Sequence, residues 1–310
     1  MAGRRTLALL TGLLWIVVCG GHGAAAAPVP KAGADAGPAG ARQAPRVLYI
    51  GDSIALESQD TVGQWVRAGS PAEFHSVPHS GMTLCDYLEG RPESSFVPAQ
   101  DKAAALVRSL RPDVVILQFW GHSWGFTPCM NGAEAGSSEY YARYRADIRA
   151  VTDQITEAAA AAGAARPKLV WVLQGPDAFN PDRVRQVNAL YTAQAAAAGD
   201  LVSDAGHHVS MAAYPYENLP RDRYAWTQYL PCDAYERAHP EYCTEPQSYG
   251  GVTRLHRDDD PLHYCLAPTT QTSRGCGVPS PGVLRYGRAI ASTVTDHLAD
   301  AAGTAPVRSR

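Results

Sequence analysis

Four apolar residues, Val47-Leu48-Tyr49-Ile50, run directly into Gly51-Asp52-Ser53. A run this short, closed by a glycine that permits a sharp turn, reads as a buried strand that ends at a serine. Residues 54–67 follow with Leu56, Val62 and Trp65-Val66 at helical spacing, and Gly69-Ser70-Pro71 ends them. Glu73 to Val77 alternates as a second strand, and Pro78-His79-Ser80-Gly81 is a turn. Ala99 to Leu110 reads as a helix closed by Arg111-Pro112. Asp113 to Phe119 is nearly continuous Val, Ile and Leu, the pattern of a parallel strand buried on both faces. A loop rich in Gly and Trp spans Trp120 to Gly136, and a long helix runs from Ser138 to Ala162 with Ser137 or Ser138 as its cap. Lys168 to Leu173 predicts a strand, Asp182 to Ala198 a helix, His207 to Met211 a short strand, and Gly282 to Ala302 a closing helix.

Strands and helices that alternate in this way predict an α/β fold, a three-layer α/β/α sandwich on a central parallel sheet of about five strands. Ligands of such sheets bind outside the carboxyl ends of the strands, where the pattern puts Ser53. About 212–258 breaks the rhythm, being rich in Tyr, Pro, Arg and Asp, and reads as a loop insertion in a domain spanning 46–304. Ahead of that domain, Arg4-Arg5, an apolar run from Leu7 to Val18 and Ala24 to Ala27 have the order of a secretory signal peptide over residues 1–27. The apolar run is short for a membrane span, so no stable membrane insertion is expected after cleavage. Residues 28–45, mostly Ala, Gly and Pro, read as a disordered linker.

Charge and cysteine content narrow the setting. The formal net charge is −3, and cleavage after residue 27 removes two more positive charges, Arg4 and Arg5. No basic cluster tracks a phosphate backbone, which argues against a nucleic-acid partner. Of seven cysteines, Cys19 leaves with the signal peptide. The six that remain, in an exported chain, predict disulfides and a secreted protein. The sequence alone does not choose among the possible connectivities, but short local loops favour Cys232–Cys243 and Cys265–Cys276, and two loops at one end of the sheet favour Cys85–Cys129. Zinc is the rival reading, and no close Cys-x-x-Cys pair supports it.

A nucleophilic Ser53 needs a base. His263 stands out among ten histidines because Asp260-Pro261-Leu262-His263 sets a carboxylate three residues before an imidazole, able to orient the ring. With these residues in hand, the chain resembles the SGNH (GDSL-type) hydrolases. The resemblance rests on Ile50-Gly51-Asp52-Ser53 for the first block, Gly81 for the second, Gly121 for the third, and Asp260 with His263 for the last. Leu117 to Gly121 followed by Thr127-Pro128-Cys129-Met130 is similar to exported actinobacterial members.

The resemblance implies a flavodoxin-like sandwich and a serine esterase that needs no cofactor or metal. Ser53 would attack an ester carbonyl, His263 would act as general base and acid, and Asp260 would orient His263. The implied oxyanion hole takes the N–H groups of Ser53 and Gly81 and a third-block side chain. Where the family has Gly-Asn, this chain has Gly121-His122, so His122 is the expected third donor, with Ser123 or Asn131 as alternatives. The expected substrate is an acylated carbohydrate or another small acyl ester. Rival readings are a lipase or O-acyltransferase on the same site, and a binding module in which His122 marks a decayed oxyanion hole.

Other polar and aromatic residues carry two readings each. Asp258-Asp259-Asp260 is a calcium site or a solvated run ending in Asp260, with Asp259 as the alternative partner of His263. Alternation along a strand would point His207 and His208 to opposite faces, which speaks against a metal pair. His256 is a loop residue or a substrate contact, and Trp120, Trp124 and Phe126 are a substrate wall or loop packing.

Overall fold

The first strand, β1 (Arg46–Gly51), is central because both of its edges are paired. It lies between β2 (Glu73–Ser76) and β3 (Val114–Gln118), and the sheet continues through β4 (Lys168–Val172) to β5 (Leu201–Ser203), all parallel, in the order β2-β1-β3-β4-β5. The chain moves to one side of β1 for β2 and to the other for β3. That reversal opens a crevice beyond the carboxyl ends of β1 and β3. The computed structural model describes residues 43–90, 95–120, 129, 132–213, 224–248, 250–268 and 275–303. The expected signal peptide, most of the linker, and Gly121, His122, Ser123, Trp124, Phe126 and Asn131 lie outside them.

The strands read as continuous apolar runs because both faces are covered. Leu48, Ile50, Val115, Leu117, Leu169 and Trp171 face one core, shared with α2 (Ala103–Leu110), α3 (Ser138–Ala161) and α4 (Pro181–Ala198). Val47, Tyr49, Val114, Ile116, Val170 and Val172 face the other, shared with α1 (Ser53–Gly69) and α6 (Pro281–Ala301). This is the three-layer sandwich that the alternation predicts, with five strands in its sheet.

Several local expectations change. The strand predicted at His207–Met211 is a 3-10 turn over Ala205–Val209, and the fifth strand is the earlier Leu201–Ser203. Three residues after the left-handed Gly199 cap are too few to show a period. The two imidazoles do not point apart, since the rings of His207 and His208 meet edge to face at 5.7 Å. The helix expected over 99–110 is split at Lys102, which is extended at ψ 146° and sends its buried ammonium to the carbonyl of Asp86. At the start of β1 the carbonyl of Pro45, the last residue of the expected linker, accepts the Glu73 N–H.

The insertion is more ordered than a loop. Its described part carries β6 (Tyr229–Pro231) and β7 (Val252–Arg254), paired antiparallel, with α5 (Ala234–Ala238) between them. A buried ion pair from Arg285 of α6 to Glu236 of α5 ties it to the sandwich. Disulfides join Cys85 to Cys129, Cys232 to Cys243 and Cys265 to Cys276, the pairs that the sequence favours.

Candidate active site

The turn between β1 and α1 is shaped by the absence of a side chain. A Cβ on Gly51 would sit 2.1 Å from the carbonyl oxygen of Gln118 and 2.5 Å from the Ala55 Cβ. Only glycine lets the strand end pass that close to β3 and turn into the helix. Asp52 caps α1 by accepting the Ile54 N–H at 3.0 Å, and its other oxygen accepts the Trp120 N–H at 2.5 Å. It therefore binds the ends of β1 and β3 together. Burial pushes its carboxyl up to about 6 against these N–H bonds and the charge of His263. Ser53 is the first helical residue, half-buried, at the positive end of the helix dipole.

His263 reaches this serine from a segment 210 residues away. Its Nε2 lies 2.9 Å from Ser53 Oγ, and its Nδ1 lies 2.8 Å from Asp260 Oδ2. With Nδ1–H donating to the carboxylate, the neutral ring presents Nε2 to accept the serine proton. The spacing Asp-x-x-His closes on itself, because Asp260 Oδ1 also accepts the N–H groups of Leu262 and His263 at 3.2 and 3.1 Å. Burial raises the Asp260 carboxyl, but the bonds and charge of His263 outweigh it and hold the group well below the ordinary range. For His263, burial acts against the charge. The Asp260 bond and the charges of Glu57, Asp260 and Asp52 prevail, raising the imidazole to about 9.

The three adjacent aspartates separate by partner. Asp258 bonds Arg254 and Gln228, Asp259 pairs with Arg257, and Asp260 alone faces His263. That arrangement answers the choice between Asp259 and Asp260, and the three carboxylates do not converge on a shared cation position. Gly81 lies in a left-handed turn at φ 76°. Its segment is tied to the turn that carries Ser53, since the His79 N–H and the Tyr87 hydroxyl both donate to the Gly51 carbonyl, at 2.9 and 2.8 Å. His122, the expected third donor, lies outside the described residues.

Other residues turn out to serve the site that the sequence did not assign to it. Glu57 is 5% exposed and accepts the N–H groups of Tyr264 and Cys265 at 2.8 and 3.0 Å. His256 is neither a solvated loop residue nor exposed to substrate. At 1% exposure it lies beneath the loop, donating from Nδ1 to the His263 carbonyl at 3.0 Å. Burial drives its imidazole down to about 4, so it stays neutral. Trp226 stacks on His256 and donates to the Pro261 carbonyl at 2.8 Å. Trp120 is core, 2% exposed against Tyr264 and Tyr286, and its carbonyl accepts from the buried Arg183 at 3.0 Å. An i,i+4 relation between Ser53 and Glu57 was the one sequence signal for any of these, and an acidic residue on a helix ordinarily faces water.

No family model and no curated protein matches this chain. Among solved structures it is similar to a family 3 carbohydrate esterase of Clostridium thermocellum, at 13% identity and a TM-score of 0.45, over 84% of this chain and 100% of that one. It is similar to a GDSL-like lipase from Bacteroides thetaiotaomicron, at 14% identity and a TM-score of 0.43, over 83% and 88% of the two chains. It is also similar to the C-terminal catalytic domain of Streptococcus pneumoniae peptidoglycan O-acetyltransferase A, at 13% identity and a TM-score of 0.35, over 86% and 99%.

Proposed function

We propose that this chain is an exported serine esterase of the SGNH type that hydrolyses O-acyl esters through an acyl-enzyme. The observation that carries the reading is the relay Ser53 Oγ, His263 Nε2, His263 Nδ1, Asp260 Oδ2, with both links under 3 Å, at the carboxyl end of β1. Nucleophile, base and orienting carboxylate are the parts that acyl transfer requires. In the forward step the Ser53 hydroxyl proton passes to His263 Nε2 as Oγ bonds to the ester carbonyl carbon. The carbonyl pair moves onto oxygen, which the N–H groups of Ser53 and Gly81 and the side chain of His122 are assigned to hold. Collapse expels the alcohol, which takes the proton from His263. Water then repeats the sequence and releases the acid.

The substrate class we favour is an O-acylated carbohydrate or another small polar ester. The grounds are the negative net charge and the aromatic side chains Trp124 and Phe126 beside the third block. Export accords with three disulfides, which persist in oxidising compartments. Among the described residues no helix is long and apolar enough to cross a membrane.

A serine-reactive phosphonate tests the reading. The wild-type protein is expected to label at Ser53, and Ser53→Ala is expected to lose labelling and at least about a thousandfold in turnover of p-nitrophenyl acetate. Labelling that survives Ser53→Ala, or none in the wild type, sinks the proposal. A panel of acetylated sugars beside p-nitrophenyl esters of rising chain length separates the carbohydrate esterase from a lipase.

A further inference from the structure

We propose that Glu57 is a positioning residue of this site, holding the loop that carries His263 against the helix that carries Ser53 and setting a second anion beside the imidazole. This rests on the reading of Ser53, His263 and Asp260 as a catalytic relay. Glu57 stands four residues after Ser53 on α1, so both side chains leave the helix on one face. Its two carboxylate oxygens take the N–H groups of the two residues that follow His263, Tyr264 and Cys265. Its own carbonyl takes the Cys276 N–H at 3.1 Å, and Cys276 is bonded to Cys265. One residue of α1 thus grips both ends of the disulfide that begins two residues after His263.

The two N–H groups call for two acceptor oxygens on one side chain, which a carboxylate has and an amide does not. The anion so buried is costly unless a cation faces it. Here the imidazole of His263, on the residue just before the two N–H groups that Glu57 binds, supplies a cation, and each acts on the charge of the other. Burial lifts the Glu57 carboxyl to about 7, against the charge of His263 and the two N–H bonds, while His263 stands at about 9. Among the described residues, the remaining groups that face His263 are Asp52 from the turn, Asp260 from its own loop, and the neutral His256 from the insertion. Arg257 also feels Glu57 but is paired with Asp259.

The consequence is a base that is charged in the free enzyme at neutral pH. The neutral ring that can accept the serine proton grows in as pH rises toward 9, so kcat/KM should climb along that limb. Once the proton has moved, the same carboxylate steadies the imidazolium beside Asp260. Glu57→Gln keeps the volume and one acceptor but removes the charge. It should shift the limb to lower pH and reduce the kcat plateau more than it changes KM.

The test is an NMR titration of the His263 imidazole in the intact protein, assigned against His263→Gln, beside the pH dependence of phosphonate labelling at Ser53. The expected wild-type midpoint lies near 9, and in Glu57→Gln it falls by about one pH unit or more, with the labelling limb following. A Glu57→Gln midpoint equal to that of the wild type overturns the proposal, as does a wild-type midpoint at the ordinary value of about 6.5, which needs no variant to fold. Absence of labelling at Ser53 overturns the esterase reading instead. The imidazole titration needs no turnover, so it decides the Glu57 proposal separately.

Discussion

The nucleophile turn and the base loop meet at one hydrogen bond, yet opposite means hold them. Ser53 follows a strand paired on both edges and opens a 17-residue helix, so repeating backbone bonds fix it. His263 lies in a stretch, 261–268, that contains no helix or strand. Its backbone groups are bound one at a time, by Glu57 from α1, by His256 and Trp226 from the insertion, and by the Cys265–Cys276 bond. A ladder spreads the cost of any one loss over many equivalent bonds, whereas individual polar bonds of about 1 kcal/mol each can be removed singly. The insertion therefore acts on the site from below, as support for the loop that carries the base.

Three variants probe that contrast, in descending order of effect. Gly51→Ala should be the most damaging, because its Cβ would meet the Gln118 carbonyl at 2.1 Å and force β3 or α1 to move. A loss of about 3 kcal/mol or more is expected, seen as a large fall in melting temperature. A variant that melts like the wild type would mean the turn has slack that the structure does not show. Removing Cys265 and Cys276 together, as Cys265→Ser/Cys276→Ser, should cost about 2–4 kcal/mol and lower kcat at least about tenfold. Amide exchange should rise at Tyr264 and Cys265 while the β1 and β3 amides stay protected. If sheet protection falls equally, the two regions are not independently held. Trp226→Phe keeps most of the stacking on His256 and loses only the bond to the Pro261 carbonyl. The expected cost is about 1 kcal/mol with a kcat reduction of a few-fold, and a drop as large as that of the disulfide variant would break the ordering.

The two regions also differ in how far they could be read beforehand. Around Ser53, the apolar run, the glycine and the start of helical spacing are adjacent in sequence and act on one another directly. Around His263, the sequence singles out Asp260 and the ring, because three residues bring them into contact within one turn. It leaves Asp259 open as the partner, since the choice depends on where Arg257 and Arg254 point. Glu57, His256 and Trp226 carry no local sign of their role. Each bonds to a backbone group, and backbone groups have no residue identity to read. The short strands fail for a related reason. Leu201–Ser203, Tyr229–Pro231 and Val252–Arg254 are three residues each, too short for a period, and exist because a neighbouring strand is there to pair with.

By itself the sequence determined the layering, because burial on both faces of a parallel sheet demands continuous apolar strands and one-sided helices. It determined where the turn before Ser53 falls, since an apolar run that meets a glycine ahead of helical spacing marks the end of a strand. It narrowed the cysteine pairs to those with short loops or a shared sheet end. Tertiary structure alone decided what holds the loop of His263, which aspartate faces His263, and that a helix glutamate lies buried against the backbone of Tyr264 and Cys265. Those outcomes depend on the distance between segments some 200 residues apart, as with Glu57 and Tyr264. Burial and charge there follow from the packing of both segments, and neither segment carries that information alone.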